Sequence, residues 1–340
     1  MFIRNAWYVA AWPEELTQKP LARTLLGEPV VLYRQDDGVP VALEDRCAHR
    51  NLPLSMGEVC GKHIVCAYHG LAYDSAGKCT RIPAQETIPP SAKVRSYPVA
   101  ERDGAVWIWM GDLALADPAT ITPYPWHNSP DWANRHSYYH IQGHYQLLHE
   151  NLLDLSHVGW VHRNTIGGTP DAHSLANMKT VREDDNVTVV RFLPDSVPPP
   201  TYVRAVGFEG NIDRWMKIEF FPTLIRVYTG ANDAGKGVDE ANQMDTLGAR
   251  IFNGVTPETE HTTHYFWSAA HNFKVDQPVV TAAFFQEIQR TFEEDKTVVE
   301  AQYTRMRQMG NARMVDIRSD LGGVQARRLV AQRLAAEAAE

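Results

Sequence analysis

The sequence predicts an α+β protein of two domains, an all-β N-terminal unit followed by a domain in which antiparallel strands accompany one long helix. Three observations carry this reading. Residues 1–115 break into short apolar runs punctuated by Asp37-Gly38, Gly57, Gly61, Gly70, Ala76-Gly77 and Pro89-Pro90, the rhythm of short strands and tight turns. Residues 279–309 contain neither Gly nor Pro and follow Pro278, a long-helix pattern with a favourable opening residue. A chain of 340 residues is long enough to bury two separate cores.

In chain order, the first unit reads as strands at 6–11, 29–33, 40–43, 64–67, 94–99 and 105–110. Residues 116–135 are irregular, with Asp117-Pro118, Pro123, Pro125 and Pro130, and read as a linker. The second domain, 136–340, opens with a strand at 137–142 and a helix at 145–162. Alternating segments at 186–193, 215–221, 225–229, 249–253 and 264–269 follow, and the domain ends in helices. There is no internal repeat, and the only biased stretch is the Ala/Glu-rich 334–340.

Composition excludes several classes of function. A formal net charge of -8, from 33 Lys+Arg against 41 Asp+Glu, does not supply the basic surface that nucleic acid or an anionic membrane requires. The apolar opening stretch stops at Pro13-Glu14-Glu15 without a cleavage site, and no run approaches the roughly 18 to 20 apolar residues of a membrane span. These features predict a soluble, cytoplasmic protein. The only cysteines are Cys47, Cys60, Cys66 and Cys79, clustered in the first quarter, and a reducing compartment favours metal ligation over disulfides.

Two of these cysteines belong to a motif. Cys47-Ala48-His49 and Cys66-Ala67-Tyr68-His69 form C-x-H, a gap of sixteen residues, then C-x-x-H. Two thiolates on one iron and two imidazoles on the other give a [2Fe–2S] centre of higher potential than an all-cysteine cluster. A tetrahedral zinc also accepts two Cys and two His, but zinc fingers pair like with like, whereas each half here pairs one Cys with one His. Gly57 and Gly70 read as tight-loop residues with positive φ. Cys60 and Cys79 read as free thiols packed in the small domain.

The second domain carries N-x-x-D-x-x-H-x-x-x-x-H, from Asn151 through Asp154 and His157 to His162. Asn151, Asp154 and His157 share one helical face, but His162 would point about 140° away from His157, so the helix must break, with Gly159 the expected place. An oxygen-activating iron takes two imidazoles and one carboxylate and keeps positions open. On the long helix Phe284, Ile288, Phe292, Val299 and Met306 lie within about 60° of Asp295, while Glu293, Glu294, Lys296 and Glu300 project elsewhere. A lone acid on an apolar stripe is costly unless it is paired or bound to a metal, which makes Asp295 the third ligand. The pair His261 and His264 would face opposite sides of a strand and reads, like the other histidines, as structural.

With both motifs in hand, the chain resembles the Rieske non-haem iron oxygenases, in particular the branch of vanillate O-demethylase, toluenesulfonate methyl-monooxygenase and dicamba O-demethylase. Further residues carry the resemblance: Arg4 through Ala10, Trp107-Ile108-Trp109 with Gly111-Asp112, Glu294-Asp295-Lys296, and Gly322 through Arg328. The resemblance implies a Rieske domain and a helix-grip catalytic domain, a [2Fe–2S] cluster, a mononuclear Fe(II) and O2 as co-substrate. It also implies a head-to-tail homotrimer in which the cluster of one chain feeds the iron of the next. Asp154 would then bridge His69 of one chain to His157 of its neighbour, with Asn151 beside the iron. The chain has no G-x-G-x-x-G after a strand, so NADH is expected to act only through a separate flavin- and ferredoxin-type reductase.

The reaction this implies is O2-dependent O-demethylation of a methoxylated, vanillate-like aromatic acid with release of formaldehyde. The alternative is hydroxylation of an aryl methyl group, as on a toluenesulfonate or toluate. A chain that only carries electrons through its cluster is a reading of another class. For the substrate anion, Arg204, Arg226 and Arg250 lie in the second domain. Thr223, Asn253 and Gln286 stand where the resemblance places the substrate-contacting Asn, His and Trp of the dicamba enzyme, a departure that disfavours dicamba itself as substrate.

Overall fold

The computed structural model describes every residue except 175, 238–246, 311 and 340. It divides into two compact units: 1–123 with 256–260, and 124–255 with 261–340. The stretch 116–135 is therefore shared between the units and is not a free tether. Trp7 Nε1 donates to the Asp117 carbonyl at 2.9 Å in the first unit. In the second, Tyr124 is wholly buried and meets Trp126 edge-on at 5.1 Å.

The first unit is all β. Its strands are β1 (Trp7–Ala11), β2 (Leu21–Leu25), β3 (Glu28–Arg34), β4 (Pro40–Glu44), β5 (Glu58–Cys60), β6 (His63–Val65), β7 (Ala72–Tyr73), β8 (Cys79–Arg81), β9 (Ser96–Tyr97), β10 (Val99–Arg102) and β11 (Ala105–Trp109). They form three sheets, ordered β1-β11-β10, β2-β3-β4-β9 and β5-β6-β7-β8. The single strand expected over 94–99 is two, because Pro98 between β9 and β10 has no N–H to give a ladder. Alternate faces of β3 fill two cores: Val30 and Leu32 pack with Tyr8 and Ile108, while Val31 and Tyr33 pack with Leu54, Ile64 and Tyr73. Cys79 lies in that second core, but Cys60 is exposed, contrary to the expectation that both are packed.

In the second unit β12 (Ala133–Ile141) leads to α1 (Tyr145–Leu153), α2 (Val158–Val161), α3 (Pro170–Ser174), β13 (Asn177–Arg182), β14 (Val187–Ser196) and α4 (Pro200–Val206). Then come β15 (Ile212–Phe221), β16 (Leu224–Asp233), β17 (Leu247–Pro257), β18 (Thr263–His271), α5 (Pro278–Met309) and α6 (Leu321–Glu337). The strands make one seven-stranded sheet ordered β12-β18-β17-β16-β15-β14-β13. The sheet grips α5 through rings: Trp267 stacks on Phe285 at 4.9 Å and meets Phe292 edge-on at 4.9 Å. On α5 the buried residues include Phe284, Ile288, Phe292 and Val299, and Asp295 is the one buried acid among them. Among the described residues, no helix is long and apolar enough to cross a membrane.

Candidate metal centres

The expected cluster ligands, Cys47, His49, Cys66 and His69, sit on two loops that copy each other. In the first, Cys47 N–H donates to the Leu52 carbonyl at 2.7 Å and Asn51 N–H to that of Cys47 at 2.9 Å. In the second, Cys66 N–H donates to the Leu71 carbonyl at 2.8 Å and Gly70 N–H to that of Cys66 at 3.0 Å. Each loop turns on a left-handed residue four after its cysteine, Asn51 (φ 59°) and Gly70 (φ 70°). Gly57 does not share that role, since its φ is -90°. A Cβ there would lie 2.1 Å from the Val65 carbonyl oxygen, so close approach, not a turn, requires the glycine.

The two thiols are buried in the second core and the two imidazoles are exposed, their rings 4.5 Å apart. Ala48 N–H donates to Tyr73 Oη at 3.0 Å, and that hydroxyl shares a hydrogen bond with Cys47 Sγ at 3.2 Å. Sulfurs paired inside and imidazoles paired outside suit two irons. A single zinc would need the four ligands drawn around one point. Among the described residues, only His157, His162 and Asp295 bring three such ligand atoms within 4.8 Å of one another.

That triad forms because the helix read over 145–162 breaks at Asp154, not at Gly159. Asp154 is extended (φ -107°, ψ 97°) and ends α1. Its carboxylate then accepts from Ser156 N–H at 2.8 Å and from the Ser156 and Ser319 hydroxyls at 2.9 and 3.0 Å, capping the short 3₁₀ turn that re-aims His157. Gly159 is needed for another reason: a Cβ would meet Pro170 Cα at 2.7 Å. Asn151, Asp154 and His157 thus do not share one regular helix.

Both imidazoles are held by Nδ1. His157 Nδ1 bonds to the Asp154 carbonyl oxygen at 2.5 Å, and His162 Nδ1 to the Glu294 carboxylate at 2.7 Å. Each ring thereby turns toward Asp295 its Nε2, the nitrogen that a metal would take once it is deprotonated. Those Nε2 atoms lie 3.3 and 3.1 Å from Asp295 Oδ1. Ligands bound side by side at about 2.1 Å would be about 3 Å apart, so the set fits an ion with positions left open. Asn151 Nδ2 donates to the same Oδ1 at 2.9 Å, beside the triad and not a member of it. Burial alone would raise the Asp295 carboxyl, but hydrogen bonds and charge from His157 and His162 hold it well below the usual carboxylate range. Burial likewise opposes charge on His162, and Asp295 then Glu294 outweigh it, raising its pKa.

The triad opens onto a cavity walled by apolar side chains such as Met216, Val227, Ile251 and Ile288. Of the expected substrate contacts only Asn253 lines it, with its amide spent on the Ile225 carbonyl (2.9 Å) and the Tyr265 hydroxyl (2.7 Å). Strand parity excludes two of the arginines. Val227 and Thr229 face the cavity, so Arg226 faces the other way and pairs with Glu219 at 2.7 Å. Ala249 and Ile251 face it too, so Arg250 turns away, with Tyr228 and Trp132 rings 4.6 and 5.0 Å from its guanidinium. Arg204 pairs with Glu287 at 2.6 Å, and Gln286 is exposed beside that pair in a separate depression. Thr223 sits in the turn between β15 and β16, outside the cavity lining.

Sequence reasoning misses two residues. Glu294 projects away from the apolar stripe of α5, and only the fold brings His162 to it. Arg214 lines the cavity, and no motif marks it. Two other histidines are tied into the domain: His264 Nδ1 bonds Tyr138 Oη at 2.8 Å, and His173 Nε2 bonds the Gly167 carbonyl oxygen at 2.6 Å.

The Rieske [2Fe-2S] domain model matches residues 6–98, and the vanillate O-demethylase oxygenase C-terminal domain model matches 141–336. The chain belongs to the Rieske non-haem iron oxygenases. Within that family it is 42% identical to the toluene-4-sulfonate monooxygenase system iron-sulfur subunit of Comamonas testosteroni, over 99% of this chain and 98% of that one. It is 38% identical to the dicamba O-demethylase oxygenase component of Stenotrophomonas maltophilia, over 88% of each. The crystal structure of dicamba monooxygenase bound to dicamba superposes with a TM-score of 0.91 at 35% identity, covering 100% of this chain and 99% of that one.

As a Rieske oxygenase the chain is the oxygenase component of a monooxygenase system that needs a reductase, and its cofactors are a [2Fe–2S] cluster and a non-haem iron. The electron-carrier reading is set aside, because the catalytic domain and its triad are both present. When bound, the cluster supplies electrons singly and the ferrous ion supplies open positions for O2 and insertion of oxygen into a C–H bond. The chain's own residues do the rest. Glu294 and the Asp154 carbonyl hold the imidazoles by Nδ1, Asn151 donates to the Asp295 carboxylate, and mostly apolar walls surround the space beside the triad.

Proposed function

We propose that this oxygenase oxidises a methyl group of a small aromatic acid, with O-demethylation of a methoxylated, vanillate-like acid as the leading reaction. The observation that carries the reading is the apolar cavity opening directly onto His157, His162 and Asp295, which suits one aromatic ring with a methyl carbon at the metal. Hydroxylation of the methoxy carbon gives a hemiacetal that collapses to a phenol and formaldehyde. One oxygen atom of O2 enters the product and the other leaves as water, with two electrons from NADH through the reductase. Hydroxylation of an aryl methyl group is the second reading, favoured by likeness to the toluene-4-sulfonate subunit along the whole chain.

Supplying vanillate, its isomers and 4-methylbenzenesulfonate with a surrogate reductase decides between them. Formaldehyde equimolar with a new phenol supports demethylation, and a benzyl alcohol without formaldehyde supports the second reading. Turnover of neither class refutes the proposal.

The homotrimer belongs to the same reading. The exposed His49 and His69 suit a cluster that hands electrons to a neighbour, and the surface beside His157 carries exposed Trp160 and Ile317. Asp154 would take part through its carbonyl contact to His157, since its carboxylate serves Ser156 and Ser319. Co-assembling Cys66→Ser with Asp295→Ala subunits tests it. Restored activity in the mixture supports transfer between chains, and an inactive mixture of the same mass counts against it. Action in the cytoplasm, in aromatic catabolism, completes the proposal.

A further inference from the structure

Arg214 on β15 is 3% exposed and lines the cavity wall. Its Nη1 donates to the Ile166 carbonyl at 2.9 Å, and its guanidinium lies 4.7 Å over the Tyr202 ring. Its Nε is buried and has no hydrogen-bond partner among the described residues, and no carboxylate among them pairs with it. The Nε atoms of Arg191, Arg226 and Arg250 share that lack, but Arg191 lies 3.8 Å from Asp154, the half-buried Arg226 pairs with Glu219, and Arg226 and Arg250 both face away from the cavity. A buried guanidinium with an unused donor edge is costly unless something completes it.

Its place along the sheet says what that something is. The cavity floor is made of pleat rows: Met216 with Thr229 and Ala249, then Val227 with Ile251, then Asn253 opposite Ile225. Arg214 pairs with Ala231 one row before the first of these, at the end away from Asn253. The Tyr202 and Thr229 hydroxyls, 2.6 Å apart, lie on the same wall and add polar atoms beside the cation. Apart from Asn151, Asn253, Thr291 and the triad itself, the rest of the lining is apolar. A cavity with a metal triad, apolar walls and one buried fork-shaped donor matches a ring that carries a carboxylate or sulfonate.

We propose that Arg214 is the anion subsite of this oxygenase, taking the substrate's carboxylate or sulfonate and holding the ring so that its methyl carbon faces the triad. The inference rests on the aromatic-acid reading above and gives it a residue. Arg214 would be a specificity-determining residue, because neutral analogues of the same shape leave the guanidinium unpaired.

The test is calorimetric titration of benzoate, benzenesulfonate and neutral benzamide into the iron-loaded holoenzyme, as wild type, Arg214→Gln and Arg214→Lys. Arg214→Gln is expected to weaken both anions by roughly 10- to 100-fold while leaving benzamide binding unchanged. Arg214→Lys keeps the charge without the fork, and its loss should be smaller and again confined to the anions. A parallel loss of anions and benzamide would mean that Arg214 only pins the Ile166 carbonyl, and that result overturns the proposal. So does anion binding that ignores either substitution. If Arg214→Gln does not fold, Arg214→Lys alone separates the same two outcomes, a loss confined to the anions or a loss shared with benzamide. Anion binding through Arg214 in an enzyme that turns over no methylated aromatic acid would support the subsite while refuting the reaction.

Discussion

The cluster loops and the iron triad solve the same problem, holding a metal, with different materials. At the expected cluster site, four candidate ligands lie between Cys47 and His69 on two loops of the same backbone pattern, and main-chain hydrogen bonds within each loop set their shape. At the iron, His157 and His162 flank a short broken helix and Asp295 comes from α5, so side chains from distant segments set the geometry. The cluster site is local and exposes its imidazoles, while the triad buries His162 and Asp295. The first is therefore organised by turns, and the second by packing of α5 against the sheet.

The largest effect expected from that contrast is selective loss of one metal. Asp295→Ala should remove the mononuclear iron and lower turnover at least about a thousandfold, since a metal ion supplies several kcal/mol of the barrier reduction. The brown cluster spectrum should persist, and iron per cluster should fall by one. Loss of the cluster colour as well would break the view that the two sites are independent.

Glu294→Gln should act next most strongly. It removes the carboxylate behind His162, and chelator competition with Co(II) or Fe(II) should find affinity reduced about 10- to 100-fold. The two imidazoles differ here, because His157 leans on a backbone carbonyl that no side-chain substitution removes.

In the cluster domain the sharpest structural test is Gly57→Ala. With the Val65 carbonyl oxygen 2.1 Å from the new Cβ, the turn between β5 and the preceding 3₁₀ segment must shift, at a cost of about 1–3 kcal/mol. Thermal bleaching of the cluster should move to lower temperature while chelator-measured metal affinity of the triad stays unchanged.

The smallest effect concerns acid stability of the catalytic unit. Burial, with a lesser push from His144, lowers His149 to about 3, and its Nε2 has no partner among the described residues. The unfolded chain takes up this proton below its ordinary value near 6.5 and the folded chain does not. Stability should therefore fall as pH drops from 6.5 toward 3. His149→Leu should flatten that slope in denaturant melts between pH 6 and pH 4, and an unchanged slope would place the acid sensitivity elsewhere.

The sequence alone determined what is local or periodic. The C-x-H and C-x-x-H halves sit on loops that need only their own residues to turn, so their pairing could be expected without a fold. Asp295 was legible because a helix of this length shows its buried face as a stripe, and one acid on that stripe stands out. Tertiary structure decided everything that depends on which segments meet. It moved the helix break from Gly159 to Asp154, because capping by Asp154 is a property of the turn that follows it. It brought Glu294 behind His162. It also turned Arg226 and Arg250 away from the cavity and Arg214 into it, because strand parity decides a face only after the register between strands is known.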